Sequence, residues 1–144
     1  MSLVISLYSP EQIAFTLIGA AIASIFAALK YRLDQANYHK DLFNSRYECF
    51  LIVEKILKEW MKDLTAGANP QMINDLNSIM RKSYFLFGSQ TYLFICKFRL
   101  AIVRENDRRR ANNMEITDDS RFLENLLTDE NLAKEFTELK IDSY

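Results

Sequence analysis

Ile13-Ala-Phe-Thr-Leu-Ile-Gly-Ala-Ala-Ile-Ala-Ser-Ile-Phe-Ala-Ala-Leu29 is a run of 17 residues without a charge. Eight of them are large and apolar, and eight are Gly, Ala or Ser. A helix that is apolar all round must be covered all round, by lipid or by protein. A helix of this length spans roughly 25 Å, the short end for a hydrocarbon core of roughly 30 Å. The flanks lengthen it. Ser9-Pro10-Glu11-Gln12 reads as a helix start, with Ser9 as N-cap, Pro10 at the first helical position and Gln12 closing a capping box. Tyr8 and Tyr31 are separated by roughly 35 Å of helix, the spacing of two aromatic interface belts.

A cleavable signal peptide needs a basic segment before its apolar run, and no Lys or Arg precedes Ile13. The basic residues follow instead, at Lys30, Arg32, Lys40 and Arg46. The positive-inside rule then predicts a single pass of the inner (cytoplasmic) membrane, N-terminus outside and the C-terminal part in the cytoplasm. The competing reading is a soluble bundle with this helix buried at its centre. Within the run, Gly19, Ala23 and Ala27 recur every four residues, as do Ala20, Ser24 and Ala28. Small residues in register let two backbones approach closely in lipid, so a homo-oligomer joined along this seam is one expectation.

Working outward, no Gly or Pro interrupts residues 30–66. Leu42/Phe43, Tyr47, Cys49/Phe50, Val53, Ile56/Leu57, Trp60/Met61 and Leu64 advance by three and four, as one face of an α-helix does. The more polar residues 30–40 read as a stalk that continues the anchor. Gly67, Asn69 and Pro70 mark a tight helical hairpin, Gly67 after one helix and Asn69 capping the next. A third helix to about Phe87 presents Ile73, Leu76, Met80 and Phe87. After Gly88, Ser89 or Thr91 caps a fourth helix, with Leu93, Cys96, Leu100 and Val103 as its apolar face. Asn112-Asn113 marks a loop, and one or two shorter helices follow it.

The 144 residues are 49% hydrophobic and 26% charged, which fits one folded chain and excludes disorder throughout. The net charge of -1 hides a division. Residues 30–114 carry fifteen Lys/Arg against nine Asp/Glu, and residues 115–144 carry three against nine. The expected organisation is all-α: a membrane anchor at 1–33, a helical bundle at 34–114 and an acidic helical tail at 115–144. Phe122, Leu126 and Phe136 in the tail are candidates for docking, on the basic body or on a partner.

Catalytic chemistry leaves no trace. One His and two Cys exclude a zinc cluster and a disulfide framework. His39 and Cys49 are roughly 15 Å apart on a continuous helix, too far for a nucleophile pair. P-loop, dinucleotide and nucleophile-elbow motifs do not occur. Asp118-Asp119 and Asp129-Glu130 fall at helix starts, where the helix dipole accounts for them. No cofactor, metal or catalytic residue is expected. Arg104, Arg108, Arg109 and Arg110, near Lys97 and Arg99, form the one basic cluster, open to a partner or an anionic surface. A pI near 5.9 argues against nucleic acid. Tyr84, Phe85, Phe87, Tyr92, Phe94 and Phe98 read as core around a helix break. Arg46, on the apolar side of the long helix, needs an internal partner or carbonyl contacts.

Arg46-Tyr47 on the long helix and Phe85-Leu86-Phe87-Gly88 at the break resemble a pattern in a group of small bacterial proteins. These have an N-terminal anchor, a long amphipathic helix and an aromatic-Leu-Phe-Gly turn. The resemblance covers roughly residues 10–105. It implies anchorage and an all-helical cytoplasmic part, and it implies no activity. Two functional classes follow. One is a membrane-anchored helical protein that acts by self-association or by binding another protein. The other is a membrane-active effector or pore-forming oligomer.

Overall fold

The computed structural model describes residues 9–62 and 69–139, and every element among them is helical. In order they are α1 (Pro10–Lys62), α2 (Pro70–Leu86), α3 (Ser89–Arg110), α4 (Asp118–Asn125), α5 (Asp129–Glu135) and a short 3-10 turn at Thr137–Leu139. The expected Gly67 turn lies outside the described residues.

Local chemistry sets most of the boundaries. The Ser9 N–H donates to Gln12 Oε1 at 3.2 Å and the Gln12 N–H to Ser9 Oγ at 3.3 Å, which is the reciprocal box expected there. Asn69 Oδ1 accepts from the Met72 N–H at 2.7 Å, with Pro70 opening α2. Thr117 and Ser120 exchange side-chain bonds at the start of α4. Asn112 stops α3 by adopting φ 51°, the left-handed conformation that Asn tolerates. The N–H of Asn113 then reaches back to Arg108 O at 3.1 Å and that of Asn112 to Arg109 O at 3.0 Å, satisfying carbonyls the helix leaves open.

The chain divides into two compact units, Met1–Asp41 and Leu42–Tyr144, and α1 runs through the division. Residues 42–114 of the expected bundle share the second unit with the residues expected as a separate tail, whereas residues 34–41 fall in the first. In the first unit no described side chain is buried.

In the second unit α3 packs against α2, α4 and α5. Its core draws on every helix, with Val53, Ile56 and Trp60 from α1, Leu76 and Ile79 from α2, and Ile95, Phe98 and Ile102 from α3. The tail supplies Leu123, Leu126, Leu132 and Phe136 to the same core. Two expected faces are corrected. The buried side of α2 is Met72, Leu76, Ile79 and Ser83, with Ile73 and Met80 half-buried at its edge. On α3 the buried set is Thr91, Phe94, Ile95, Phe98, Ala101, Ile102, Glu105, Asn106 and Arg109, whereas Leu93 and Leu100 are exposed. With neighbours on more than one side, α3 buries a wide arc, and a single stripe of aliphatic residues does not describe it.

The aromatic expectation also divides. Phe87, Phe94 and Phe98 are core, but Tyr84 and Phe85 face outward, Phe85 with 83% of its surface exposed. Phe136 is the junction of the tail with the body. Its ring lies edge-on to Phe50 at 5.3 Å, Phe87 at 5.6 Å and Phe94 at 5.8 Å between centroids.

Two carboxylates tie distant helix ends together. Glu138 accepts from the Gly88 N–H at 2.8 Å and from the Thr91 hydroxyl at 2.6 Å, so an anion brought from the tail caps α3. This corrects the expectation that Ser89 or Thr91 caps its own helix: the N-cap is Gly88, and Thr91 donates to the tail. A Cβ at Gly88 would lie 3.1 Å from Glu138 Oε1, so the approach is tight. Glu105, 1% exposed, accepts from Arg108 Nη2 at 2.6 Å and from the Thr117 hydroxyl at 2.6 Å. For both, burial works to raise the carboxyl pKa, but the hydrogen bonds outweigh it and the net direction is downward.

Two predictions follow from this packing. Phe136→Ala should destabilise the protein by about 3–5 kcal/mol, as core aromatic truncations do. Phe85→Ala should change stability by no more than about 0.5 kcal/mol. Urea unfolding of the full-length protein, followed by Trp60 fluorescence, separates the two. The second concerns pH. The folded pKa values of Glu105 and Glu138 lie below the unfolded value of about 4.3, so their contribution is present above that pH. It is lost as pH falls through the folded values. Glu138→Gln should therefore cost roughly 1–2 kcal/mol at pH 7 and much less at pH 3. An equal loss at both pH values would remove the charge from the explanation.

Candidate functional site

The first surface to consider is the apolar run of α1. Phe15, Leu17, Ile18, Ile25, Phe26 and Leu29 are all exposed, and none of the apolar window is buried within the chain. The segment is long and apolar enough to cross a membrane. Its two hydroxyls need nothing from outside. Thr16 Oγ1 donates to Gln12 O and Ser24 Oγ to Ala20 O, each at 2.8 Å. Every polar group in the run is thereby satisfied by the helix itself, as hydrocarbon requires. At Gly19 an added Cβ would meet nothing within 4 Å, and Ala23 and Ala27 are exposed one and two turns further on. The seam is therefore open among the described residues.

The basic cluster expected on α3 is not one surface. Arg109 turns inward: its guanidinium lies 4.3 Å from the Trp60 ring centroid and donates to Trp60 O at 2.9 Å. Arg108 is held by Glu105 and by the Asn113 carbonyl. Arg104 sits 3.6 Å from Asp119 of α4. Only Arg104 and Arg110 of the four are exposed. The run of arginines looked like a site because charge is visible in sequence, whereas the Trp60 ring and carbonyl that bind Arg109 come from 49 residues away. The same elements enclose a small cavity of about 190 Å³ beside Trp60, whose two guanidinium groups are the engaged Arg108 and Arg109.

The docking candidates of the tail are likewise used internally. Leu126 and Phe136 are buried, and Phe122 is half-buried under Lys97, whose ammonium lies 4.3 Å from its ring centroid. Arg46 finds the carbonyl contact its position requires. Its Nε donates to Leu86 O at 2.6 Å, and its guanidinium faces the Phe87 ring at 6.0 Å. Arg46 on α1 and the Leu86-Phe87 break between α2 and α3 thus touch each other.

Two surfaces emerge that periodicity did not identify. One is a groove of about 500 Å³ walled by Phe43, Tyr47 and Phe50 of α1 and by Ala133, Phe136 and Leu139 of the tail. Among the described residues, Glu130 and Lys134 are the charged ones in its lining. The other is an outward aromatic group at the end of α2. Tyr84 contacts Phe85 at 5.2 Å and Tyr92 at 5.5 Å, next to exposed Leu93.

Among the described residues no group of three or more His, Cys, Asp or Glu is placed to hold a metal. Cys49 is buried, and burial pushes its thiol pKa up, away from the reactive thiolate. No protein-family model matches the chain, and neither a curated protein nor a solved structure matches it.

Proposed function

We propose that the chain is a membrane-anchored helical interaction protein, with residues 13–29 spanning the cytoplasmic membrane and the helical body on its cytoplasmic side. The observation that carries this reading is the uncharged run of α1, whose apolar side chains are uncovered and whose hydroxyls are bonded to its own carbonyls. Lys30 and Arg32, immediately after it, favour the cytoplasmic side for everything that follows. Function then lies in what the body touches. The exposed Tyr84, Phe85 and Leu93 form the kind of outward apolar group that marks a protein contact. A second copy of the chain, joined along Gly19, Ala23 and Ala27, is the simplest partner. The effector reading draws less support, because Thr16 and Ser24 are turned back on their own helix and leave no polar stripe to line a pore.

The chain should remain in the membrane fraction after alkaline washing, and a reporter fused after Tyr144 should report the cytoplasm. Activity of that fusion on the far side of the membrane would sink the topology. Neutralising Lys30 and Arg32 while placing two Lys before Ser9 should invert or scramble insertion.

Self-association has its own test. Gly19→Ile and Ala23→Ile keep the segment apolar, so insertion should survive, but they hold two backbones apart. A spanning-helix dimerisation reporter should lose its signal with either change and keep it with Ile18→Leu. Undiminished signal in all three would leave association to the body.

A further inference from the structure

We propose that the outer face of α3 binds an amphipathic helix whose apolar stripe is flanked by Asp or Glu. Leu93, Cys96, Leu100 and Val103 advance by three and four residues, the spacing that one helix presents to another. Their periodicity reads as a core face, yet the structure turns them outward. Leu93 is 63% and Leu100 46% exposed, and Cys96 and Val103 are half-buried. Exposed Asp107, one turn further on, ends the stripe. At 3.6 residues per turn, Lys97 and Arg104 run along one edge of it and Arg99 along the other. The charged residues that flank the stripe are therefore all basic. Where two helices pair, flanking charges of this kind choose the partner.

The cations are placed to receive carboxylates. Arg99 Nε donates to Asn77 Oδ1 at 2.8 Å, which fixes the guanidinium and leaves its Nη donors for a two-pronged contact. Arg81 Nε donates to the carbonyl of the same Asn77 at 3.4 Å and adds a cation on that side. Among the described residues no carboxylate pairs with Arg81, Lys97 or Arg99. The chain's own acidic tail is already committed on the far side of Lys97 and Arg104, with Phe122 under Lys97 and Asp119 beside Arg104. A second copy meeting this face with its own would set Lys97, Arg99 and Arg104 against like charges, which opposes the pairing. A phosphate surface would satisfy the cations but leave Leu93 and Leu100 in water. From Leu93 to Val103 the stripe runs roughly 15 Å, the reach of one short helix and a contact of transient size. The proposal rests on the reading of the chain as an interaction protein, and not on its anchorage.

The test titrates the full-length protein in phosphatidylcholine nanodiscs against two fluorescein-labelled helical peptides of about three heptads. Both carry Leu in the facing stripe; one is flanked by Glu and the other by Lys. Fluorescence anisotropy, corrected for empty nanodiscs, should show the Glu peptide binding about tenfold more tightly than the Lys peptide. Leu100→Glu, at an exposed position, should abolish that binding with the helical spectrum unchanged. Lys97→Glu combined with Arg99→Glu should reverse the preference, a gain that misfolding cannot produce. Equal binding of the two peptides, or undiminished binding to Leu100→Glu, would overturn the proposal. So would loss of the Glu peptide when phosphatidylglycerol replaces part of the phosphatidylcholine, which gives the face to anionic headgroups. Disulfides between the Cys96 residues of two copies on mild oxidation, in place of peptide binding, would give it to a second copy. Binding of neither peptide while the spanning-helix reporter stays positive removes this face and leaves association through the anchor standing. Should the chain fractionate as soluble, anchorage fails, and the same titration without nanodiscs decides the face.

Discussion

Phe136 closes the second unit. Its ring is held edge-on by Phe50 of α1, Phe87 of the α2–α3 connection and Phe94 of α3, three residues that local sequence does not bring together. Edge-to-face packing sets partial positive hydrogens against the π-face of a neighbour, so each contact specifies orientation as well as proximity. Once Phe136 is seated, the residues after it have only a short reach. Glu138, two positions on, arrives at the N-terminus of α3 and accepts from Gly88 and Thr91. The tail is thus joined to the body by an apolar contact and a charged cap that reinforce each other.

The same residue shapes what the surface can do. Phe136 is only 1% exposed, yet it forms the floor of the groove whose walls are Phe43, Tyr47 and Leu139. Short elements around it, α5 and the 3-10 turn, cannot cover an aromatic face as a long helix would. Concavity here follows from joining a brief irregular segment to a long regular one. At the other end of α3, polarity does the equivalent work. Glu105 gathers Arg108 and Thr117, and Trp60 engages Arg109, so the arginine run is spent on closing the fold.

The apolar run of α1 is long and apolar enough to cross a membrane, and its two hydroxyls are bonded to carbonyls of its own helix. The exposed pair Tyr84 and Phe85, with half-buried Tyr92 beside Tyr84, and the apolar groove are surfaces of different kinds. One projects from the surface and the other recedes into it.

What the sequence by itself determined is what interactions within three or four residues determine. The Ser9–Gln12 box, the Asn69 cap with Pro70, the acidic start of α4 and the uncharged run from Ile13 to Leu29 are all local, and each was legible from spacing. The burial of Trp60 and the carbonyl partner of Arg46 were also foreseeable, because a stripe position or a misplaced charge states its own requirement. Only the tertiary structure decided which arc of α3 is buried, that Leu93 and Phe85 face outward, that Arg109 turns to Trp60, and that Glu138 caps a helix 50 residues away. The physical reason is the range of the forces involved. A cap or a helical stripe is fixed by neighbours in the chain, whereas burial and pairing depend on which other segment arrives. For α3 that arrival comes from more than one side, and no periodicity in its own residues records it.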